Sequence, residues 1–279
     1  MTRRELPCIS IVTPSFNQGK FVEATVRSVL DQRYPKLEYL FLDGGSTDAT
    51  LDRIAPYRAR FAHFESVPDG GQSAAIARGF SLCGGEIMAY LNSDDQLLPG
   101  TLNFVADFFE RHPHLDAIYG HRCIIDANNR VIGHWILPPH SNFMMRRWDL
   151  IPQESCFWRR RLFETGGNID PTFRFAMDYD LFVRYMKTGR FKRVNRFLAA
   201  FRVHEHAKSS TRLTTTGEQE IARVQALHKL RLVPLVGEFF SLWVQFRSAV
   251  FARRHECFPG LPPGIDYAID DVWGRSTVQ

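Results

Sequence analysis

The sequence predicts an α/β protein with a mainly parallel central sheet and helices on both faces. Three observations carry this. With 279 residues, 44% of them hydrophobic, the chain is long enough to bury a full core. Over roughly the first hundred residues, short apolar runs alternate with helix-like stretches, the rhythm of strands joined by crossover helices. Each apolar run also ends in small polar residues and glycines, and ligands of such sheets bind at the carboxyl ends of the strands.

Taken in order, Cys8 to Val12 reads as the first strand. Lys20 to Gln32 carries Phe21, Val22, Val26, Val29 and Leu30 at helical spacing. Leu37 to Leu42 is a second strand; Ser46 or Thr47 is placed to cap a helix beginning near Asp48. A strand over Phe61 to Val67, a helix over Gln72 to Leu82, a strand over Ile87 to Leu91 and a helix over Gly100 to Arg111 follow.

Thirty-five Lys and Arg against thirty Asp and Glu give a net charge of +5, which suits an anionic substrate or membrane surface as well as nucleic acid. The basic residues are dispersed, however, and nucleic-acid binding calls for a basic stripe with interleaved aromatics. The five cysteines are scattered without a Cys-x-x-Cys pair, so neither a zinc site nor a disulfide framework is expected. The N-terminus enters a strand after a few polar residues with no long apolar h-region, and a cytoplasmic protein is the expectation.

Four strand ends gather on one edge: Thr13-Pro14-Ser15-Phe16-Asn17, Asp43-Gly44-Gly45-Ser46, Pro68-Asp69-Gly70-Gly71-Gln72 and Asn92-Ser93-Asp94-Asp95. Such residues are ordinary turn formers singly, but four loops of this kind on one edge point to a ligand cleft. The pair Asp94-Asp95 follows an apolar strand. Adjacent carboxylates there repel each other and resist desolvation, so a cation or strong hydrogen-bond donors must meet them.

The stretches TPSFNQGKFVEATVRSVLDQ, LDGGSTDAT, DGGQSAAIARG, GGEIMAYLNSDDQLLPG, PQESCFWRRRLFETGG, AMDYDLFVRYMKTG and FRVHEHAKS follow one another over roughly residues 8 to 210. In this order they resemble glycosyltransferase family 2, which has the GT-A, Rossmann-like fold. The resemblance implies a catalytic domain over 1–212; the remainder, 213–279, lies outside it and reads, from periodicity, as a C-terminal helical extension. The resemblance implies transfer of a sugar from a nucleoside-diphosphate sugar, with uridine or thymidine as the nucleoside, to a hydroxyl of a saccharide or lipid-linked acceptor with inversion.

By the same resemblance Asp95 ligates Mg²⁺ or Mn²⁺, and Asp94 contacts the donor ribose or supports the metal. Hard divalent cations do bind through one or two carboxylates plus substrate phosphates. Asp43 is then expected to accept from the donor base, with Thr13, Pro14, Ser15 and Phe16 as the other wall. Ala74 and Ala77 stand where an Asp and an Asn are usual, which leaves Asp69 and Gln72 as the polar contacts of that loop. Asp178 matches the second position of the family's Glu-Asp motif and is the expected general base, while Met177 replaces the acidic residue before it. Asp180 is the alternative base, or else pairs with Arg184 one helical turn on. His204 either completes the metal shell or steadies the departing phosphates as a cation, a task open also to Arg202 and Lys208. Glu154 and Trp158 are expected to line the acceptor side, Trp158 as a flat face for a sugar ring. Arg159 to Arg161 read either as phosphate binders or as a solvated helix start.

Two other function classes compete. A sugar nucleotidyltransferase needs a Gly-rich basic loop after the first strand, which TPSFNQGKF does not supply. A non-catalytic relative predicts lost metal or base carboxylates, and both are present.

Beyond residue 212 periodicity alone guides the reading. Thr216 to Gln219 forms a capping-box pattern, and Ile221, Val224, Leu227 and Leu230 extend a helix from near Gly217 to about Leu232. A second stripe runs through Leu235, Phe239, Leu242, Trp243, Phe246 and Val250 to Arg253-Arg254. Glu238 and Arg247 interrupt it too early for a membrane span. Residues 235–254 therefore form either an interfacial helix on an anionic membrane, at the inner face of the plasma membrane, or a helix packed on protein.

Overall fold

The apolar runs of the first ninety residues are strands, and they lie side by side. The computed structural model describes residues 5–205, 216–230 and 267–276. Its elements are β1 (Ile9–Ser15), α1 (Val22–Leu30), β2 (Leu37–Asp43), α2 (Thr50–Ile54), β3 (His63–Ser66), α3 (Gln72–Leu82), β4 (Ile87–Tyr90), β5 (Gln96–Leu97) and α4 (Thr101–Arg111), followed by β6 (Ala117–Ile125), β7 (Val131–Trp135), α5 (Asn142–Met145), β8 (Cys156–Arg159), α6 (Arg160–Gly166), α7 (Met177–Tyr185), β9 (Phe191–Arg202), α8 (Glu218–Leu227) and α9 (Ile269–Ser276).

One sheet takes the order β3-β2-β1-β4-β8-β6-β9-β5, with β7 added on β6. Strands β3, β2, β1 and β4 are all parallel. Strand order reverses around β1, so a crevice opens between the carboxyl ends of β1 and β4, where open sheets of this kind bind ligands. The second half departs from the parallel pattern: β8 runs antiparallel to both β4 and β6, and β5 antiparallel to β9.

Period-two alternation divides the core. Val12, Leu40 and Leu42 face a cluster that includes Ile76 and Phe80 of α3, whereas Ile9, Ile11, Tyr39 and Phe41 face Val26 and Val29 of α1. Gly79 lets α3 lie against β1, since a Cβ there would meet a Val12 methyl at 2.5 Å.

Two sequence expectations change locally. Helix α2 is held at its start by Asp48, whose Oδ1 accepts from the Thr50 N–H at 2.9 Å; Ser46 is drawn away to Asp43. The helix after residue 216 has no capping-box bonds and ends at Leu227, followed by Lys229 at φ +53°. Within 213–279, α8 packs through Val224 into the α3-side cluster, and α9 packs through Ile269 and Val272 against Val131 and Leu98. Among the described residues, no helix is long and apolar enough to cross a membrane. The stripe over 235–254, Cys257, His206 and Lys208 lie outside the described residues.

Candidate active site

The end of β9 meets Asp94 and Asp95. Arg202 donates its main-chain N–H to Asp95 Oδ1 at 2.9 Å, and His204 Nε2 lies 3.1 Å from Asp94 Oδ2. The Arg202 guanidinium, 1% exposed, does not pair with either carboxylate. It donates to the carbonyls of Asp94 and Asp126, at 2.7 Å each, and to Asn129 Oδ1 at 2.6 Å, so it fixes the loop's backbone. Asn92, between β4 and the pair, is gripped by Gln72 at 2.6 Å and Gln153 at 3.1 Å. The partners of Asn92, Gln153 and Arg202 escape sequence reasoning, because they lie 20 to 108 residues away.

Parallel register puts Ser15 beside Asp43 and Asp43 beside Ser66. Asp43 is 2% exposed and accepts from Gly45 N, Ser46 N, Ser46 Oγ and Ser66 Oγ. Three of those bonds fall on Oδ2 and one on Oδ1, so Asp43 holds its loop while Oδ1 keeps acceptor capacity. Thr13 is corrected: it is fully buried with Oγ1 3.0 Å from the Tyr39 hydroxyl, so it belongs to the sheet and not to a pocket wall. Pro14 is buried too, on the alternate face. Ser15 Oγ is buried without a hydrogen-bond partner, and Phe16 is 59% exposed. Asp69 is exposed; its Oδ1 accepts from Gly71 N at 2.6 Å, and its carboxyl lies where a Cβ on Gly44 would touch it at 3.2 Å.

On the other side Asp178 opens α7, with Oδ1 accepting from Tyr179 N at 2.9 Å. Burial pushes its carboxyl up to about 6, with a smaller push from Glu154 opposed by Arg122. Glu154 is 3% exposed and 3.3 Å from Arg122, whose guanidinium is sandwiched by Trp135 and Phe201 at 4.0 and 4.5 Å. So Glu154 is not an open acceptor wall, and its charge instead raises Asp95, Asp178 and Asp149. Asp149, missed in the sequence, is exposed and lies close enough to Asp178 and Glu154 for their charges to act on it. Asp180 is engaged elsewhere, by Arg184 and His228 at 2.9 Å each.

Trp158 is corrected as well. It is 0% exposed, packed edge-on against Phe80 at 5.4 Å and Tyr185 at 5.9 Å, and offers no face to a sugar. Strand β8 is covered on both sides, which a four-residue run does not reveal. Arg159 and Arg160 are half-buried and Arg161 is exposed. They donate to the carbonyls of Phe109, Leu115, Gly85 and Cys83 and to Asp116, at the sheet edge away from the crevice.

Among the described residues no three His, Cys, Asp or Glu side chains close into a metal cage. The donor set nonetheless suits a hard divalent cation. Burial, and after it the charges of Asp94 and Glu154, raises the Asp95 carboxyl well above its usual range, and a bound cation would favour its ionised form. Asp94, Asp95 and His204 are the residues that would hold it, with substrate phosphates completing the shell.

A sequence model described as Glycosyl transferase family 2 matches residues 10–167. An uncharacterized glycosyltransferase of Nostoc sp. is 26% identical over 237 residues, covering 78% of this chain and 71% of the relative. The PGL/p-HBAD biosynthesis glycosyltransferase of Mycobacterium tuberculosis is 31% identical over 182 residues, 64% of this chain and 69% of the relative. Among solved structures, S. aureus TarS in complex with UDP superposes with a TM-score of 0.63 at 19% identity, covering 90% of this chain and 72% of that one. The mannosyltransferase PcManGT of Pyrobaculum calidifontis, in complex with GDP-Man and Mn²⁺, gives 0.62 at 16% identity over 98% and 80%. These likenesses show the GT-A fold. Since the family match spans the strands, the glycine loops and the Asp pair that build the crevice, this chain belongs to glycosyltransferase family 2.

Proposed function

We propose that the protein is an inverting, metal-assisted glycosyltransferase that moves a hexosyl group from a nucleoside-diphosphate sugar to a hydroxyl of a saccharide or lipid-linked acceptor. The observation that carries this reading is the convergence of Asp94, Asp95 and His204 at the crevice between β1 and β4. TarS with UDP and PcManGT with GDP-Man and Mn²⁺ support a nucleotide-sugar donor and a divalent cation.

On this reading Ser15, Phe16, Asp69 and Gln72 flank the nucleoside. Asp178 removes the proton of the acceptor hydroxyl. That oxygen bonds to the anomeric carbon while the bond from this carbon to the diphosphate oxygen breaks, its electron pair leaving with the diphosphate. Bound Mg²⁺ or Mn²⁺ supplies positive charge where the diphosphate departs. His204, held by Asp94, is placed as a further ligand or as a cation beside the phosphates. Asp149 gives the acceptor side a second carboxylate, which Met177 does not supply. Residues 235–254 remain our candidate contact with an anionic membrane surface.

A thermal-shift panel of UDP, dTDP and GDP with and without Mn²⁺ tests the donor half, because a ligand that binds only the native state raises Tm. Stabilisation by one diphosphate that depends on Mn²⁺ supports the reading. No shift with any of them, with Mn²⁺ present, refutes it.

A further inference from the structure

We propose that Glu220, in α8 beyond the family-matched residues, is a positioning residue for Asp178. The inference rests on the reading of Asp178 as the base.

Helix α7 begins without a side-chain cap of its own. The N–H groups ahead of it are satisfied from 44 to 46 residues away. Glu220 Oε2 accepts from Phe175 N at 2.7 Å, Ala176 N at 2.9 Å and Arg174 N at 3.1 Å, and its Oε1 accepts from Arg174 N at 2.9 Å. A carboxylate bonded to consecutive N–H groups at a helix start is a charge-assisted cap, stronger than a neutral one. Asp178 stands two residues beyond Ala176, so the cap fixes the direction in which its carboxyl emerges.

The rest of α8 grips the same helix. Arg223 donates to Thr172 Oγ1 at 2.9 Å and stacks over Phe173 at 4.3 Å. Val224 is buried in the core, and His228 reaches Asp180 one turn into α7. The helix that carries the base is thus held at its start and along its flank by one later helix. A base displaced by about 1 Å costs a transferase on the order of a hundredfold in turnover without any loss of binding surface.

The test uses the full chain, with Glu220→Ala, Glu220→Gln and Glu220→Asp. Amide hydrogen exchange is read first because it requires no donor. Glu220→Ala should speed exchange at 174–180 by about tenfold or more while β1 and β4 stay protected. Glu220→Gln, which keeps an oxygen in reach of the N–H groups, should restore most protection. Glu220→Asp, one methylene short, should not. Turnover of UDP-GlcNAc or GDP-mannose with Mn²⁺ should fall about a hundredfold in kcat for Glu220→Ala with donor KM nearly unchanged. Unchanged exchange at 174–180 in folded Glu220→Ala overturns the proposal; should that variant not fold, unchanged exchange in Glu220→Asp does. Parallel loss of kcat and donor affinity overturns it too. The double variant with Asp178→Asn separates the two readings. Turnover no lower than in Asp178→Asn alone supports action through Asp178, while an Asp178→Asn single variant that keeps turnover refutes the base and leaves the exchange result to stand for the cap.

Discussion

Arg202 and Asp95, 107 residues apart, meet through a single 2.9 Å bond from a main-chain N–H to a buried carboxylate oxygen. That bond ties the last strand of the sheet to the loop expected to carry the diphosphate. On the proposed reading it makes Asp95 both a site residue and a structural one. Asp95→Ala should abolish turnover and Mn²⁺-dependent binding of UDP or GDP, and it should also destabilise the fold by about 1–3 kcal/mol through the orphaned N–H. Asp95→Asn should keep the fold and still lose the metal-dependent binding. Calorimetry on both variants decides; full Mn²⁺-dependent affinity in folded Asp95→Asn removes Asp95 from the site.

Arg202→Lys should not rescue Arg202→Ala. The guanidinium serves two carbonyls and the Asn129 amide oxygen at once, a fork that a lysine ammonium cannot reproduce. Equal melting temperatures for Arg202→Lys and the parent chain would falsify this.

Turnover should depend on pH through Asp178. The base acts ionised, and its carboxyl is raised to about 6, so kcat should be full above that value and fall as pH drops through it. Asp178→Asn should lower kcat by roughly two to four orders of magnitude and abolish this acid limb while diphosphate affinity persists. If the limb near 6 survives in Asp178→Asn, another group titrates it.

Asp180→Asn should behave differently. Its partners Arg184 and His228 lock α7 to its neighbours, so the expected loss is in Tm, with the acid limb of kcat unmoved. A kcat loss as large as that of Asp178→Asn at unchanged Tm would make Asp180 the base.

Trp158→Ala should cost about 3–5 kcal/mol as a core cavity. Trp158→Phe should fold and leave the acceptor KM within a small factor. A large and selective rise in acceptor KM for folded Trp158→Phe would return Trp158 to the acceptor site.

The strands and helices of the first 111 residues were legible because their signals are local. Helical spacing in α1 and α3, glycines after β2 and β3, and apolar runs between them are each set within a few residues. The Asp94-Asp95 pair was legible for the same reason, since carboxylates after a buried strand demand a partner wherever the chain goes. How Arg202 and His204 reach it was decided by folding: Arg202 ends β9 and His204 lies just beyond, and both arrive only when that strand pairs parallel with β6. Trp158 and Glu154 misled because a short run carries no record of being covered on both faces. Burial of Trp158 depends on α3 and α7 packing over β8, and that of Glu154 on Arg122 crossing to it. Chemistry fixed by neighbours in sequence can be read from it; chemistry fixed by desolvation and by contacts across 40 to 110 residues exists only once the chain has closed on itself.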